Sequence, residues 1–218
     1  MHNQVSLDGA ISGFQIDMGT YYGIVNDFKP EMYLVGSNTA RSGIKIFSQG
    51  NSDETKEDFI KPENISGDHR PFWVIPDSEG KLEGLLHIFR KYEHCRDVIV
   101  LVSKETPDSY LQYLNDRQYT TIVSGEVKVD FKRAFNILEE SYNFETILTD
   151  NGGLLSSVLF DKGLINQVSM IISPTLTDKK NPKLFRELKL GKRVISLEPK
   201  EVKILENKDI WLLLDVVK

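Results

Sequence analysis

Cysteine is almost absent from this sequence, with Cys95 the single one among 218 residues. A lone thiol closes no internal disulfide, which points to a reducing compartment. It also offers no thiol pair for zinc, and the four histidines (His2, His69, His87, His94) are scattered, so no metal centre is expected. Cysteine-nucleophile and Ser-His-Asp chemistry lack a clustered nucleophile and base for the same reason. Positive charge is not in excess: 27 Lys and Arg against 32 Asp and Glu give a net charge of −5. No nucleic-acid partner held by bulk charge is therefore expected. No window approaches the roughly 18–20 apolar residues of a membrane span. Met1-His2-Asn3-Gln4-Val5 shows no basic stretch leading into an apolar run, so no signal peptide and no membrane partner are expected. A cytoplasmic globular protein is the expectation. Two phosphate-binding fingerprints are missing as well, G-x-G-x-x-G and the glycine run ending in Lys-Ser or Lys-Thr. An ordinary Rossmann dehydrogenase and a P-loop enzyme are disfavoured.

What is present is alternation. Met32 to Gly36, Phe72 to Ile75, Val98 to Val102, Thr120 to Val123, Thr146 to Leu148 and Val168 to Ile172 are short apolar runs of strand length. Val98-Ile99-Val100-Leu101-Val102 has no polar alternation, as in a strand covered on both faces. Between the runs, Asp130 reads as the N-cap of a helix carrying Phe131, Ala134, Phe135, Leu138 and Tyr142 on one face. Leu154, Leu155, Val158 and Leu159 form another helix before the stop at Gly163, with further helices over Asp108 to Leu114 and Leu82 to Tyr92. Strand–helix alternation from 72 to 174 predicts parallel pairing. After Pro174, Val194 to Leu205 and Ile210 to Val217 read as two strands forming an antiparallel edge. The expected architecture is one α/β domain over residues 1–218, with a mostly parallel central sheet flanked by helices and an antiparallel C-terminal edge. The polar stretch Ser48 to Asp68 reads as a solvated loop or as a mobile flap beside a site.

In such a sheet, ligands bind beyond the carboxyl ends of the strands. The residues there are Gly36-Ser37-Asn38-Thr39, Asp77-Ser78, Ser103-Lys104, Ser124-Gly125 and Asp150-Asn151-Gly152-Gly153. The last joins a buried strand to an apolar helix, whose free N–H groups and dipole favour an anion, and the glycines permit close approach. The same glycines would also serve a tight turn alone. These loops suggest a protein that holds a phosphorylated cofactor and leaves the chemistry to it.

Taken in order, four segments resemble the reductase domain of riboflavin biosynthesis: Ser6-Leu7-Asp8-Gly9, Tyr33 to Ala40, Pro71 to Ser78, and Asp150-Asn151-Gly152-Gly153 through Gly163-Leu164 to Pro174. The resemblance implies a dihydrofolate reductase-like fold, bound NADPH and a homodimer. It places Gly36, Asn38, Thr39, Asp77, Ser78, Asn151, Gly152, Gly153 and Leu154 at the cofactor, and Ser6, Asp8 and Asp150 at the substrate. Asp8, or a bound water, would be the catalytic proton donor. The apolar run Trp211-Leu212-Leu213-Leu214 independently suggests that a late strand is covered by a second copy.

The departures lie on the substrate side. Ala10 stands where the family usually has a substrate-contacting lysine, Gly43-Ile44-Lys45 replaces an acidic-proline segment, Asp150 replaces glutamate, and Asn166-Gln167 replaces Asp-Glu. The expected activity is NADPH-dependent hydride transfer to a ribosylamino-pyrimidine. The rivals are reduction of another small heterocycle such as a pterin, and nucleotide binding without turnover.

Overall fold

Strands that are apolar on every residue must be enclosed by neighbours on both faces, and their order in the sheet follows from that need. The structure, a computed structural model, describes residues 1–47, 53–63 and 65–217. In chain order the elements are β1 (His2–Ser6), α1 (Met18–Asp27), β2 (Met32–Leu34), α2 (Ser37–Phe47), β3 (Phe72–Pro76), α3 (Leu86–Arg90), β4 (Val98–Val102), α4 (Asp108–Asp116), β5 (Thr120–Val123), α5 (Phe131–Tyr142), β6 (Ile147–Thr149), α6 (Gly153–Asp161), β7 (Gln167–Ser173), β8 (Leu197–Ile204) and β9 (Ile210–Val216). The chain divides into two compact units, Met1–Lys29 with Leu148–Lys218, and Pro30–Ile147. None of the described helices is long and apolar enough to cross a membrane.

The unit Pro30–Ile147 is built on parallel strands. Its sheet runs β5-β4-β3-β2-β6, with β2–β3, β3–β4 and β4–β5 parallel. The five residues of β4 are all buried between β3 and β5. Asp130 caps α5 by accepting from the Lys132 and Arg133 amides, and Phe131, Ala134 and Leu138 face inward as the spacing predicts. The helix expected over 82–92 is shorter. Gly80 and Gly84 sit at φ +70° and +74°, a left-handed geometry that breaks helix, so only Leu86–Arg90 is helical. The helices α1 and α2 were not expected, because Gly19, Gly23 and Gly43 lower their intrinsic propensity.

Of the polar 48–68 stretch, residues 48–52 and 64 lie outside the described residues. The rest is tied down by charge. Glu54 accepts from Arg117 at 2.6 and 2.7 Å, and Asp58 accepts from Lys91 at 2.9 Å. A freely solvated loop is not what these segments form.

The other unit carries the sheet β1-β7-β9-β8, with β1 and β7 parallel and β9 antiparallel to both β7 and β8. The antiparallel C-terminal edge is thus present, attached to β7. Every residue of β1 is buried, although His2, Asn3 and Gln4 are polar. Neighbours bond one polar atom of each, while His2 Nε2, Asn3 Oδ1 and Gln4 Oε1 are buried without a partner among the described residues. His2 Nδ1 lies 2.8 Å from Ser169 Oγ, which also accepts from Trp211 Nε1, while Gln4 Nε2 donates to Ser173 Oγ and Asp209.

The β8–β9 ribbon has two chemically distinct faces. Pairing aligns Leu197 with Val216, Pro199 with Leu214, Val202 with Leu212 and Ile204 with Ile210, so one face is wholly apolar. Leu197, Val202 and Ile204 are exposed on it. The opposite face carries Glu198, Glu201 and Lys203 paired with Asp215, Leu213 and Trp211.

Candidate functional site

The carboxyl end of β1 runs into a turn that two other segments of its unit embrace. The Gly9 amide donates to Ser6 O at 2.8 Å and the Ser6 amide to Ala10 O at 2.9 Å. Ala10 then faces Lys183 in an antiparallel bridge, with Ile11 N donating to Pro182 O and Leu184 N to Gly9 O, each at 3.0 Å. Residues 9–11 and 182–184 thus form a miniature ribbon. It lies against the β6–α6 joint: the Cβ of an alanine at 153 would come 2.7 Å from the Leu184 carbonyl oxygen, and one at 152 would lie 3.6 Å from the Ile11 side chain.

Asp8 is the centre of this cluster, and it is occupied. Its carboxylate accepts from Ser6 Oγ at 2.6 Å, from the Thr177 amide at 3.2 Å, from Thr177 Oγ1 at 3.1 Å and from Lys183 Nζ. These donors, Lys183 foremost and Ser6 next, hold its pKa well below the usual carboxylate range. The residue expected as proton donor is thus a carboxylate that these donors favour in its ionised form. An ionised carboxylate surrounded by donors has no proton to give. Thr177 and Lys183, 169 and 175 residues away in sequence, were missed, since no local motif announces either.

The joint itself separates the roles of its residues. Asp150 accepts from the Tyr21 hydroxyl at 3.4 Å, and its backbone carbonyl accepts from Asn3 Nδ2 at 3.0 Å. Burial, reinforced by Asp150, pushes the Tyr21 phenol up. Asn151 is buried with its side-chain amide on Thr149 Oγ1, which directs it into the fold and away from any pyrophosphate. Gly152 is the N-cap of α6 and brings no side chain over the amides that open the helix. Leu154, in that first turn, is exposed. Gly153 has a packing reason of its own, since the Leu184 carbonyl leaves no room for a Cβ. At Gly152 that Cβ would meet only the ordinary Ile11 contact. Of the two glycines, only Gly152 leaves its outer face open to a ligand.

In the unit Pro30–Ile147, β2 passes through Val35-Gly36 into α2, whose first turn presents Ser37 half-buried and Asn38 and Thr39 exposed. Asp77 is buried and accepts from the Lys81 and Leu82 amides at 3.0 and 2.9 Å and from the Tyr110 hydroxyl at 2.9 Å. Its carboxylate organises the turn after β3. Ser78 beside it is half-buried. Lys81 pairs with Glu79 at 3.1 Å and Lys104 with Glu126 at 2.7 Å.

A family model described as the RibD C-terminal domain matches residues 1–208. Among solved structures, a pyrimidine reductase-like protein from Corynebacterium diphtheriae is 15% identical, with a TM-score of 0.73 over 100% of this chain and 90% of its own. RibD from Acinetobacter baumannii is 22% identical, with a TM-score of 0.68 over 99% of this chain and 56% of its own. The riboflavin biosynthesis reductase Rib7 from Saccharomyces cerevisiae is 15% identical, with a TM-score of 0.65 over 99% of this chain and 88% of its own. The chain thus spans little more than half of the Acinetobacter protein. At these identities the likeness establishes a shared fold.

Proposed function

The chain belongs to the RibD C-terminal domain family, and from that membership we propose that it is an NADPH-dependent reductase of a ribosylamino-pyrimidine, of the riboflavin-pathway type. The observation that carries the reading is the convergence of the Ser6–Ile11 turn, the 182–184 ribbon and the open, uncapped start of α6 in one unit. A cofactor with a pyrophosphate fits that start of helix: the amides of Gly153 and Leu154 would hold it, with Gly152 leaving room for it. When bound, a reduced nicotinamide supplies a hydride. The chain's part is to bind, orient and provide a proton.

Ser6, Asp8 and Asp150 are the substrate-side residues of this proposal. Asp8 acts through what it holds, and Asp150 is steadied by Tyr21. The cofactor contacts in the same unit are Gly152, Gly153 and Leu154, at the start of α6. Residues 1–218 act as one functional domain, in keeping with a family match that runs through both units. A second copy covers the apolar ribbon face and makes a homodimer. The buried thiol of Cys95 suits a reducing cytoplasm.

The test follows NADPH oxidation over pyrimidine and pterin substrates, beside a fluorescence titration of NADPH. Turnover with a phosphoribosylamino-pyrimidine is expected. Turnover confined to a pterin, or nucleotide binding with no turnover, would replace the reading by the corresponding rival.

A further inference from the structure

Reducing an imine adds a hydride to carbon and a proton to nitrogen, and Asp8 cannot supply the proton. We propose that Lys183 does, with Asp8 and Thr177 as the positioning residues that hold its ammonium. This inference rests on the reductase reading and deepens it.

Three observations meet at Lys183. Its Nζ donates to Asp8 Oδ2 and lies 3.4 Å from Thr177 Oγ1, so two of its three N–H groups have partners among the described residues and the third is left for a ligand. The side chain is 31% exposed, within reach of a small molecule. Its backbone is part of the ribbon that Gly153 packs beneath, so the ammonium is carried on a segment locked to the proposed pyrophosphate joint. Opposite Lys183 stands Ala10, wholly buried and too short to place a functional group there. The pairing with Asp8 also argues against a phosphate anchor, because a carboxylate beside the lysine repels a dianion. It favours donation to an uncharged atom. In the proposed step the carbon–nitrogen π bond breaks, the hydride from the reduced nicotinamide forms the new C–H bond, and a Lys183 proton forms the N–H bond. A bound reduced nicotinamide would supply that hydride and its two electrons, and the neutral amine of Lys183 regains its proton from water.

The experiment compares wild type, Lys183→Ala, Lys183→Arg and Asp8→Asn, each checked for melting temperature and for NADPH affinity by fluorescence. Lys183→Ala is expected to lower kcat by about 10²–10⁴-fold with NADPH affinity within about threefold, the range for loss of a general acid. Methylammonium should restore part of that rate in proportion to its concentration. Lys183→Arg should not restore it, because a guanidinium keeps its proton. Asp8→Asn should add little to the loss in a double variant, as residues acting as one unit do. A folded Lys183→Ala that is as fast as wild type, or a fully active Lys183→Arg, overturns the proposal while leaving the reductase reading intact. A wild type that binds NADPH but turns over no pyrimidine overturns both.

Discussion

Gly152 and Gly153 are adjacent, yet they are glycines for different reasons. A methyl at 153 would lie 2.7 Å from a backbone oxygen that cannot step aside, so Gly153→Ala should lower stability by about 1–3 kcal/mol, the usual cost of overpacking. A side chain at 152 meets no such wall. Gly152→Val is expected to leave the melting temperature nearly unchanged and to weaken NADPH binding by about tenfold, by displacing the anion from the helix start. Unchanged affinity in a folded Gly152→Val would remove the cradle. His2 makes a second prediction at this scale. Burial lowers its pKa from 6.5 to about 3, so the folded protein holds it neutral while the unfolded chain protonates it as pH falls below 6.5. The unfolded state then binds more protons, and stability drops on acidification, by about 2 kcal/mol between neutrality and pH 5. His2→Gln should flatten that limb in urea titrations monitored by Trp211 fluorescence, which reports the same Ser169 hydroxyl.

Arg90 does at the scale of elements what no single contact does, by closing the end of α3 against two other pieces of backbone. It pairs with Asp97 at 2.7 Å, both side chains buried, and donates to the carbonyl oxygens of Arg117 and Gln118 after α4. Its guanidinium also lies 3.8 Å over the Tyr119 ring. Removing one member of such a pair strands the other charge, so Arg90→Met should cost about 3–5 kcal/mol in urea unfolding. Little or no loss would show that Asp97 finds other donors. The same element shows why helix lengths were misjudged. The apolar spacing over 82–92 suits a helix, but the turn around Gly84 and the amides that Asp77 captures delay its start to Leu86.

Across the whole molecule the apolar face of β8–β9 bears on the state of assembly. Exposed Val202 and Ile204 opposite Leu212 and Ile210 make a patch of the kind that is usually covered. Ile204→Glu is therefore expected to shift light scattering from a dimer toward the 24.9 kDa monomer, with the melting temperature falling at low concentration. Wild type that is already monomeric at micromolar concentration refutes the dimer. The polar side of the same ribbon, Glu198, Glu201 and Lys203, gives the alternative face no comparable drive.

Within the sequence alone, elements that depend on a few neighbours were already determined. The β-branched run Val98–Val102 is the enclosed strand it reads as, and Asp130 caps the helix whose apolar face its spacing predicts. The parallel pairing and the antiparallel C-terminal edge follow from the same short-range patterns. Only the tertiary structure decided what depends on distant partners. The polar strand His2-Asn3-Gln4 is buried with one polar atom of each side chain bonded to a residue more than 140 positions away. Gly153 is required by a carbonyl at Leu184, and Asp8 is ionised and occupied because Thr177 and Lys183 fold back upon it. Propensity and periodicity act over one or two turns of chain. Close packing and charge pairing act wherever the folded backbone brings groups within a few ångströms, and that proximity is a property of the fold.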